Sequence, residues 1–224
     1  MQNKEVNKTR SILILLYIVL SIGVFVTMLT VPSLNAIFKK LSTTSPYIMG
    51  FVKFALLATA GELIAIAIKC KQFLLPVKIV WRFIIWGVIG VWITFMMKVY
   101  SSAVGTLMAS GALIGGDSKF LSALFTSVLM NTSFGPTFMA VHKMTDKMLE
   151  LRAKKERANL SSVVNGIDWS SFFGFTILKT VPLFWIPAHT VTFMLPSEYQ
   201  VMMAAALSVA LGIILSFGSR KKQK

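Results

Sequence analysis

Six long hydrophobic runs divide this sequence of 224 residues, and they constrain its fold more than any other feature. The runs are Ile12–Val31, Tyr47–Ile68, Ile79–Met97, Phe120–Val141, Phe172–Leu195 and Gln200–Phe217. Each is close in length to the ~20 residues with which a helix crosses a hydrocarbon core. Because backbone polar groups in lipid must be satisfied internally, the runs predict an all-α, polytopic bundle of about six transmembrane helices.

Lysine and arginine are divided unevenly among the segments outside these runs. The two tails together with the second and fourth gaps hold 16 of the 20 basic residues that lie outside the runs. The first, third and fifth gaps hold the other four. Cytoplasmic loops retain an excess of lysine and arginine. The distribution therefore predicts that both the N and C termini lie in the cytoplasm.

Composition argues against two other classes of protein. Hydrophobic residues make up 55% of the chain and charged residues 14%, which is too apolar for an ordinary soluble domain. The net charge of +15 would suit a nucleic-acid-binding protein, but the basic residues flank the runs on one predicted side of the membrane. We instead expect them to contact anionic lipids of the inner leaflet. The expected partner is the lipid bilayer and not a nucleic acid.

The sequence contains no recognisable enzyme motif. Gly-x-Ser-x-Gly, a Walker loop and His-Glu-x-x-His are all missing from it. The single cysteine, Cys70, excludes an internal disulfide, and His189 has no nearby acid or cysteine with which to form a metal site. We expect neither a cofactor nor a metal, and an intramembrane enzyme is the least favoured hypothesis.

Ionisable and amide side chains within the runs are few, and such groups usually face protein or water. The candidates to line a pore or substrate pathway are Glu62, Arg82, Asn131, Lys179 and His189. Glu62, Arg82 and Lys179 fall at similar depths near the cytoplasmic edge, which predicts an ion pair of Glu62 with one of the two cations. Such a pair would serve either helix packing or a pathway. Lys53 is expected to extend toward the outer surface.

Two further patterns concern the backbone. Prolines interrupt the fourth and fifth runs and predict helix kinks, which either line a transport pathway or serve packing; they are Pro136, Pro182 and Pro187. The sixth run carries a small residue at every fourth position: Ala204, Ser208, Gly212 and Ser216. This stripe predicts a face packed within the bundle, with an interface between copies in a homo-oligomer as the alternative.

The segment Phe184–Pro196 resembles a family signature. It is similar to the pattern Trp-Pro-x-x-Gln-x-x-Asn-Phe-x-x-Val-Pro-x-x-x-Arg of the Mpv-seventeen / peroxisomal membrane protein family. Trp185 and Phe193 match at the right spacing. The departures are Ile186 for the first proline, Pro187 one place late, His189 for glutamine, Thr192 for asparagine, Pro196 one place early and Gln200 for arginine.

Other residues extend this resemblance over about 37–217. Leu41, Pro46 and Gly61-Glu62 resemble the opening motif of the family, Gly87-x-x-Gly90 before Tyr100 its middle block, and Leu215-Ser216 its close. On this basis residues 1–36 would form a basic tail and an accessory transmembrane helix, and residues 37–224 the family-like bundle. The family is usually drawn with four spans, fewer than the six runs of this sequence.

The resemblance implies a membrane protein associated with solute passage. Together with the runs, it favours a channel or transporter-like protein for small solutes. A non-transporting membrane scaffold is the alternative. No organelle address is recognisable, and the charge bias suits a bacterial plasma membrane, so we expect a multi-pass protein of the cell membrane.

Overall fold

The computed structural model describes the backbone of residues 2–76 and 78–221 and the side chains of residues 8–76 and 78–214. Helices dominate the described residues, and no strand occurs among them, which confirms the all-α prediction. The helices are α1 (Gln2–Thr30), α2 (Pro32–Thr44), α3 (Pro46–Cys70), α4 (Ile79–Ala109), α5 (Lys119–Leu129), α6 (Gly135–Ala153), α7 (Leu160–Asn165), α8 (Trp169–Ser171), α9 (Ile186–Met194) and α10 (Ser197–Lys221). Two π-helical stretches, π1 (Met130–Phe134) and π2 (Phe172–Trp185), interrupt this series.

Five helical segments among the described residues are long and apolar enough to cross a membrane. They are Lys8–Thr30, Pro46–Cys70, Ile79–Ala109, Trp169–Met194 and Ser197–Ile214. The fourth hydrophobic run forms α5, π1 and the start of α6, and it is not among these five. Large apolar side chains also face outward, such as Leu13 at 60% and Leu183 at 78% exposure. Such a surface is that of a membrane-embedded protein.

The chain divides into two compact units, of which the first comprises Met1–Thr94 and Ser197–Lys224. In this unit α10 packs along α3, and α1 packs against α2 and α3. Ile14 and Ile18 of α1 are buried against Ala60 and Leu63 of α3. Residue 36, the expected end of an accessory segment, lies within α2 in this unit.

Glycines allow helix backbones of the first unit to approach closely. A Cβ atom built on Gly90 of α4 would lie 2.2 Å from the carbonyl oxygen of Gly50 in α3. A Cβ on Gly61 would lie 2.9 Å from the Cα of Val209 in α10. Small residues at helix contacts are the usual means of close packing in lipid. The helices α4 and α10 thus both meet α3 at a glycine.

The small-residue stripe of α10 lies beside this contact in part. Ala204 is buried, and the Ser208 hydroxyl donates to the Ala204 carbonyl, 3.3 Å away. A Cβ on Gly212 would be 3.6 Å from the Ala65 Cβ of α3, an ordinary contact distance. The side chain of Ser216 lies outside the described residues.

The second unit comprises Phe95–Pro196. Here α5 packs against α9, and π1 lies against π2. At the polar end of α6, a smaller core forms from Leu151, Val163 and Ile167. The charged part of α6 is thereby attached to α7 through apolar contacts.

Each proline expected to interrupt a helix lies in or next to a π-helical stretch. Pro182 lies inside π2, Pro136 follows Gly135 directly after π1, and Pro187 is the second residue of α9. The Gly135 N–H donates to the Met130 carbonyl, and the Ile186 N–H to the Val181 carbonyl, both five residues back. Proline has no N–H to donate, and wider turns accommodate the interruption.

Candidate functional site

Glu62 of α3 forms an ion pair with Arg82 of α4 in the first unit. The Arg82 Nη1 atom donates to the Glu62 Oε1 atom at 2.6 Å, and both side chains are largely shielded. The indole Nε1 of Trp86 donates to the other carboxylate oxygen, Oε2, at 3.3 Å. Arg82 and Trp86 are four residues apart and therefore share one face of α4. Each oxygen of the carboxylate thus has a donor from the same helix.

This geometry selects one of the two partners that the sequence left open for Glu62. Arg82 provides the charge, whereas Lys179 is an exposed residue of π2 and belongs to the second unit. Charges within a membrane are tolerated when they are paired. The positive charge of Arg82 balances the negative charge of Glu62, and the contact joins α3 to α4. From the sequence alone an interfacial aromatic belt would also explain Trp86, although its spacing from Arg82 indicates a shared face.

Lys53 is not extended toward the surface, and that expectation is wrong. Its side chain is only 2% exposed. The amine donates to the Ser42 hydroxyl at 2.8 Å and to the Glu198 carbonyl at 3.1 Å, and it lies 4.4 Å from the centroid of the Phe38 ring. The physical reason is that α2, which carries Phe38 and Ser42 one turn apart, covers the amine. Hydrogen bonds and a cation–π contact replace the water that snorkelling would have reached.

Asn131 and His189 meet inside the second unit. The Asn131 Nδ2 atom donates to the Ser127 carbonyl at 2.8 Å, which leaves Oδ1 to face the His189 Nδ1 atom at 3.0 Å. Because Oδ1 can only accept, Nδ1 of the imidazole carries the proton and Nε2 presents a lone pair. Ser127, Asn131 and His189 are 0%, 3% and 8% exposed. We name these three residues the polar triad.

The polar triad lies where two irregular helices face each other. The Ser127 hydroxyl donates to the Ile186 carbonyl at 2.7 Å, directly before Pro187. The Thr190 hydroxyl donates to the same carbonyl at 2.8 Å. The Trp185 ring lies 5.1 Å from the imidazole of His189, centroid to centroid. The triad therefore ties α5 and π1 to the junction of π2 with α9.

Ser127 is essential to this arrangement and was not among the residues predicted from the sequence. It precedes Asn131 by four residues, so the two side chains share one helix face, and that spacing could have indicated it. Among the described residues, no group of three or more His, Cys, Asp or Glu side chains could hold a metal ion. The triad offers hydrogen-bonding groups and one imidazole lone pair.

No family model, no curated protein and no solved structure matches this chain. The resemblance to the Mpv-seventeen / peroxisomal membrane protein family therefore rests on the individual residues of its motifs, with Trp185 and Phe193 at their centre. In the structure these two residues flank His189, with its imidazole 5.1 Å from the Trp185 ring and 6.4 Å from the Phe193 ring between centroids.

Proposed function

We propose that this protein crosses the membrane six times, with both termini in the cytoplasm. Five spans are the long apolar helices named above. The additional span, fourth in chain order, begins with α5 at Lys119 and passes through π1 into α6. Twenty lysine and arginine residues lie outside the hydrophobic runs, and six crossings place 16 of them in the cytoplasm. If residues 119–153 did not cross, the better of the two orientations would place 14 there and the N-terminal tail outside. The charge distribution therefore supports six spans.

The proposed function is that of a channel or transporter-like protein for small solutes in a cell membrane. The observation that carries this proposal is the polar triad at the meeting point of π1 with the junction of π2 and α9. Interrupted helices and buried polar groups inside a membrane commonly mark solute pathways, and π-helical turns are frequent at functional sites. The cytoplasmic charge bias supports a bacterial plasma membrane as its location.

The triad defines which chemistry a pathway would use. The Nε2 atom of His189 is free to act as a hydrogen-bond acceptor in this tautomer, so it suits a small polar solute that carries a hydroxyl or amide donor. Asn131 holds the imidazole in this tautomer through Nδ1, and Ser127 holds Asn131. Replacing Asn131 would therefore disturb the orientation of His189 without removing the imidazole.

Flux into liposomes tests this function. Purified protein is reconstituted, and swelling in glycerol and in urea is followed by stopped-flow light scattering. We expect the wild type to accelerate swelling over protein-free liposomes. Asn131→Leu and His189→Phe should reduce the excess rate about fivefold, because each removes or misplaces the imidazole acceptor with which a solute would form a hydrogen bond. Swelling no faster than in protein-free liposomes, with folded wild-type protein, would contradict a channel for these solutes.

A matched control separates loss of a pathway from loss of stability. Asn35 also makes two side-chain hydrogen bonds, from its Nδ2 to the Met28 carbonyl at 3.2 Å and to its Oδ1 from the Tyr199 hydroxyl at 2.8 Å. It belongs to the first unit, whereas the triad belongs to the second. We expect Asn35→Leu to retain the flux of the wild type for an equal amount of folded protein. An equal loss of flux per folded protein in Asn35→Leu and Asn131→Leu would contradict a pathway at the triad.

A membrane scaffold without transport is the second candidate. The observation that favours it concerns the charged side chains Glu62, Arg82 and Lys53, which lie within the hydrophobic runs of the first unit. Glu62 meets Arg82, and Lys53 is enclosed by protein groups. These contacts stabilise packing and use the three charges within the protein. This candidate predicts a folded, membrane-inserted protein that carries no flux in the liposome experiment.

A further inference from the structure

A cavity opens between α1, α3 and the start of α4 in the first unit. Its volume is about 330 Å³, near the lower end of the ~300–1,000 Å³ range of small-molecule sites. Ile14, Thr59 and Leu63 are buried and line it, whereas Leu13 and Val80, which also line it, are exposed. The cavity is therefore a groove that opens toward the surroundings of the helices.

One charged residue, Arg10, is among the residues that line this groove. Its side chain is exposed, and no side chain among residues 8–76 and 78–214 forms an ion pair or hydrogen bond with its guanidinium. Arg10 belongs to the basic N-terminal segment, which the charge distribution places on the cytoplasmic side. Anionic lipid head groups are concentrated at that surface.

Away from Arg10 the lining is almost entirely apolar. The exception is the Thr59 hydroxyl, which is buried and makes no hydrogen bond within the described part of the chain. Tyr17 also lines the groove, and its hydroxyl proton is shared between the carbonyl oxygens of Ala55, at 3.3 Å, and Leu56, at 3.2 Å. The floor of the groove thus suits hydrocarbon, apart from one unused hydroxyl.

We propose that this groove binds one acyl chain of an anionic phospholipid, whose phosphate pairs with the guanidinium of Arg10. Arginine binds phosphate oxygens in a bidentate manner. Charge complementarity selects an anionic head group, because a zwitterionic lipid offsets its phosphate with an ammonium group that the guanidinium repels. The apolar floor between Ile14 and Leu63 accepts the chain. The proposal rests on the membrane location of the helices and on the proposed cytoplasmic N terminus. It does not rest on solute passage, so it survives or fails independently of the flux experiment.

Native mass spectrometry of the full chain in detergent tests this site. The probes are phosphatidylglycerol and phosphatidylcholine with identical acyl chains, added in equal amounts. We expect the wild type to retain phosphatidylglycerol preferentially. In Arg10→Gln this preference falls at least about fivefold, because the charge-assisted contact of the guanidinium with the head group is lost. The control is Lys8→Gln, which removes a neighbouring basic residue that does not line the groove, and it retains the preference.

Two further variants test the acyl-chain part of the proposal. Val80→Trp fills the exposed rim of the groove and is expected to lower the retention of both lipids. Thr59→Val removes the unused hydroxyl at nearly constant size and is expected to leave retention unchanged or raised. Equal losses in Arg10→Gln and Lys8→Gln would overturn the proposal in favour of diffuse attraction. Unchanged retention in Val80→Trp, or lost retention in Thr59→Val, would overturn the acyl chain as the occupant.

Discussion

Replacing Gly90 with alanine is expected to destabilise the protein strongly, because the added methyl group would collide with α3. The new Cβ would lie 2.2 Å from the Gly50 carbonyl oxygen and 2.6 Å from the Phe54 Cβ. One of these neighbours is backbone, so relief requires α3 and α4 to move apart. Overpacking typically costs about 1–3 kcal/mol, and we expect Gly90→Ala at the upper end. Gly90→Leu should abolish the folded protein. Unfolding in detergent, followed by circular dichroism, measures both.

The same helix provides the control for this prediction. Gly105 also lies in α4, and a Cβ built on it would meet no atom within 4 Å. Gly105→Ala should therefore stabilise the protein by about 0.5–1 kcal/mol, the usual gain of alanine over glycine within a helix. If Gly90→Ala and Gly105→Ala changed the free energy of unfolding equally, close backbone packing at Gly90 would be refuted.

The second large effect is expected at the ion pair of Glu62 and Arg82. Arg82→Met leaves the carboxylate without its counter-charge, and Glu62→Leu does the same to the guanidinium. Removing one member of a shielded pair costs about 3 kcal/mol. The double variant Glu62→Leu/Arg82→Met replaces both charges with apolar groups and should be more stable than either single variant. Free energies of unfolding of the four proteins form a double-mutant cycle.

An exposed ion pair on α6 is the comparison for this cycle. The Lys154 amine donates to the Glu150 carboxylate at 2.7 Å, and this hydrogen bond, with another from Lys147, lowers the pKa of Glu150. A lowered pKa means that its small stabilisation is present at neutral pH and is lost as the pH falls through the acid range. Lys154→Gln should lower the free energy of unfolding at pH 7 far less than Arg82→Met does, because solvent screens an exposed ion pair. A loss as large as that of Arg82→Met would contradict the role given to shielding.

The length and apolar character of the hydrophobic runs made the helices predictable, but these properties could not determine which side chains meet. Depth along the runs places both Arg82 and Lys179 near Glu62. The short connection from α3 to α4, residues 71–78, favours contact between these two helices, and the structure pairs Glu62 with Arg82. For Lys53 the expectation failed because residues 32–44 look like a connecting gap between two hydrophobic runs. Pro32 is in fact the first residue of α2, and Phe38 on this helix covers the amine.

For the polar triad, too, the sequence indicated the candidate residues but not their contacts. Asn131, His189 and the prolines stand out in apolar runs, so the candidates were visible in the sequence. Asn131 and His189 are 58 residues apart along the chain. Their meeting depends on the packing of α5 against α9, which no local pattern encodes. The π-helical bonding was equally hidden, because proline indicates an interruption without specifying how the backbone accommodates it.

Six crossings with cytoplasmic termini is the claim on which the depth of every candidate residue depends. Single cysteines introduced at Lys40, Lys154 and Glu198 in a Cys70→Ser background can be labelled on intact cells with a membrane-impermeant maleimide. We predict that Lys40→Cys and Glu198→Cys react from outside, whereas Lys154→Cys reacts only after permeabilisation. Protection of Lys40→Cys, together with external labelling of a cysteine at Lys8, would contradict six spans and support five.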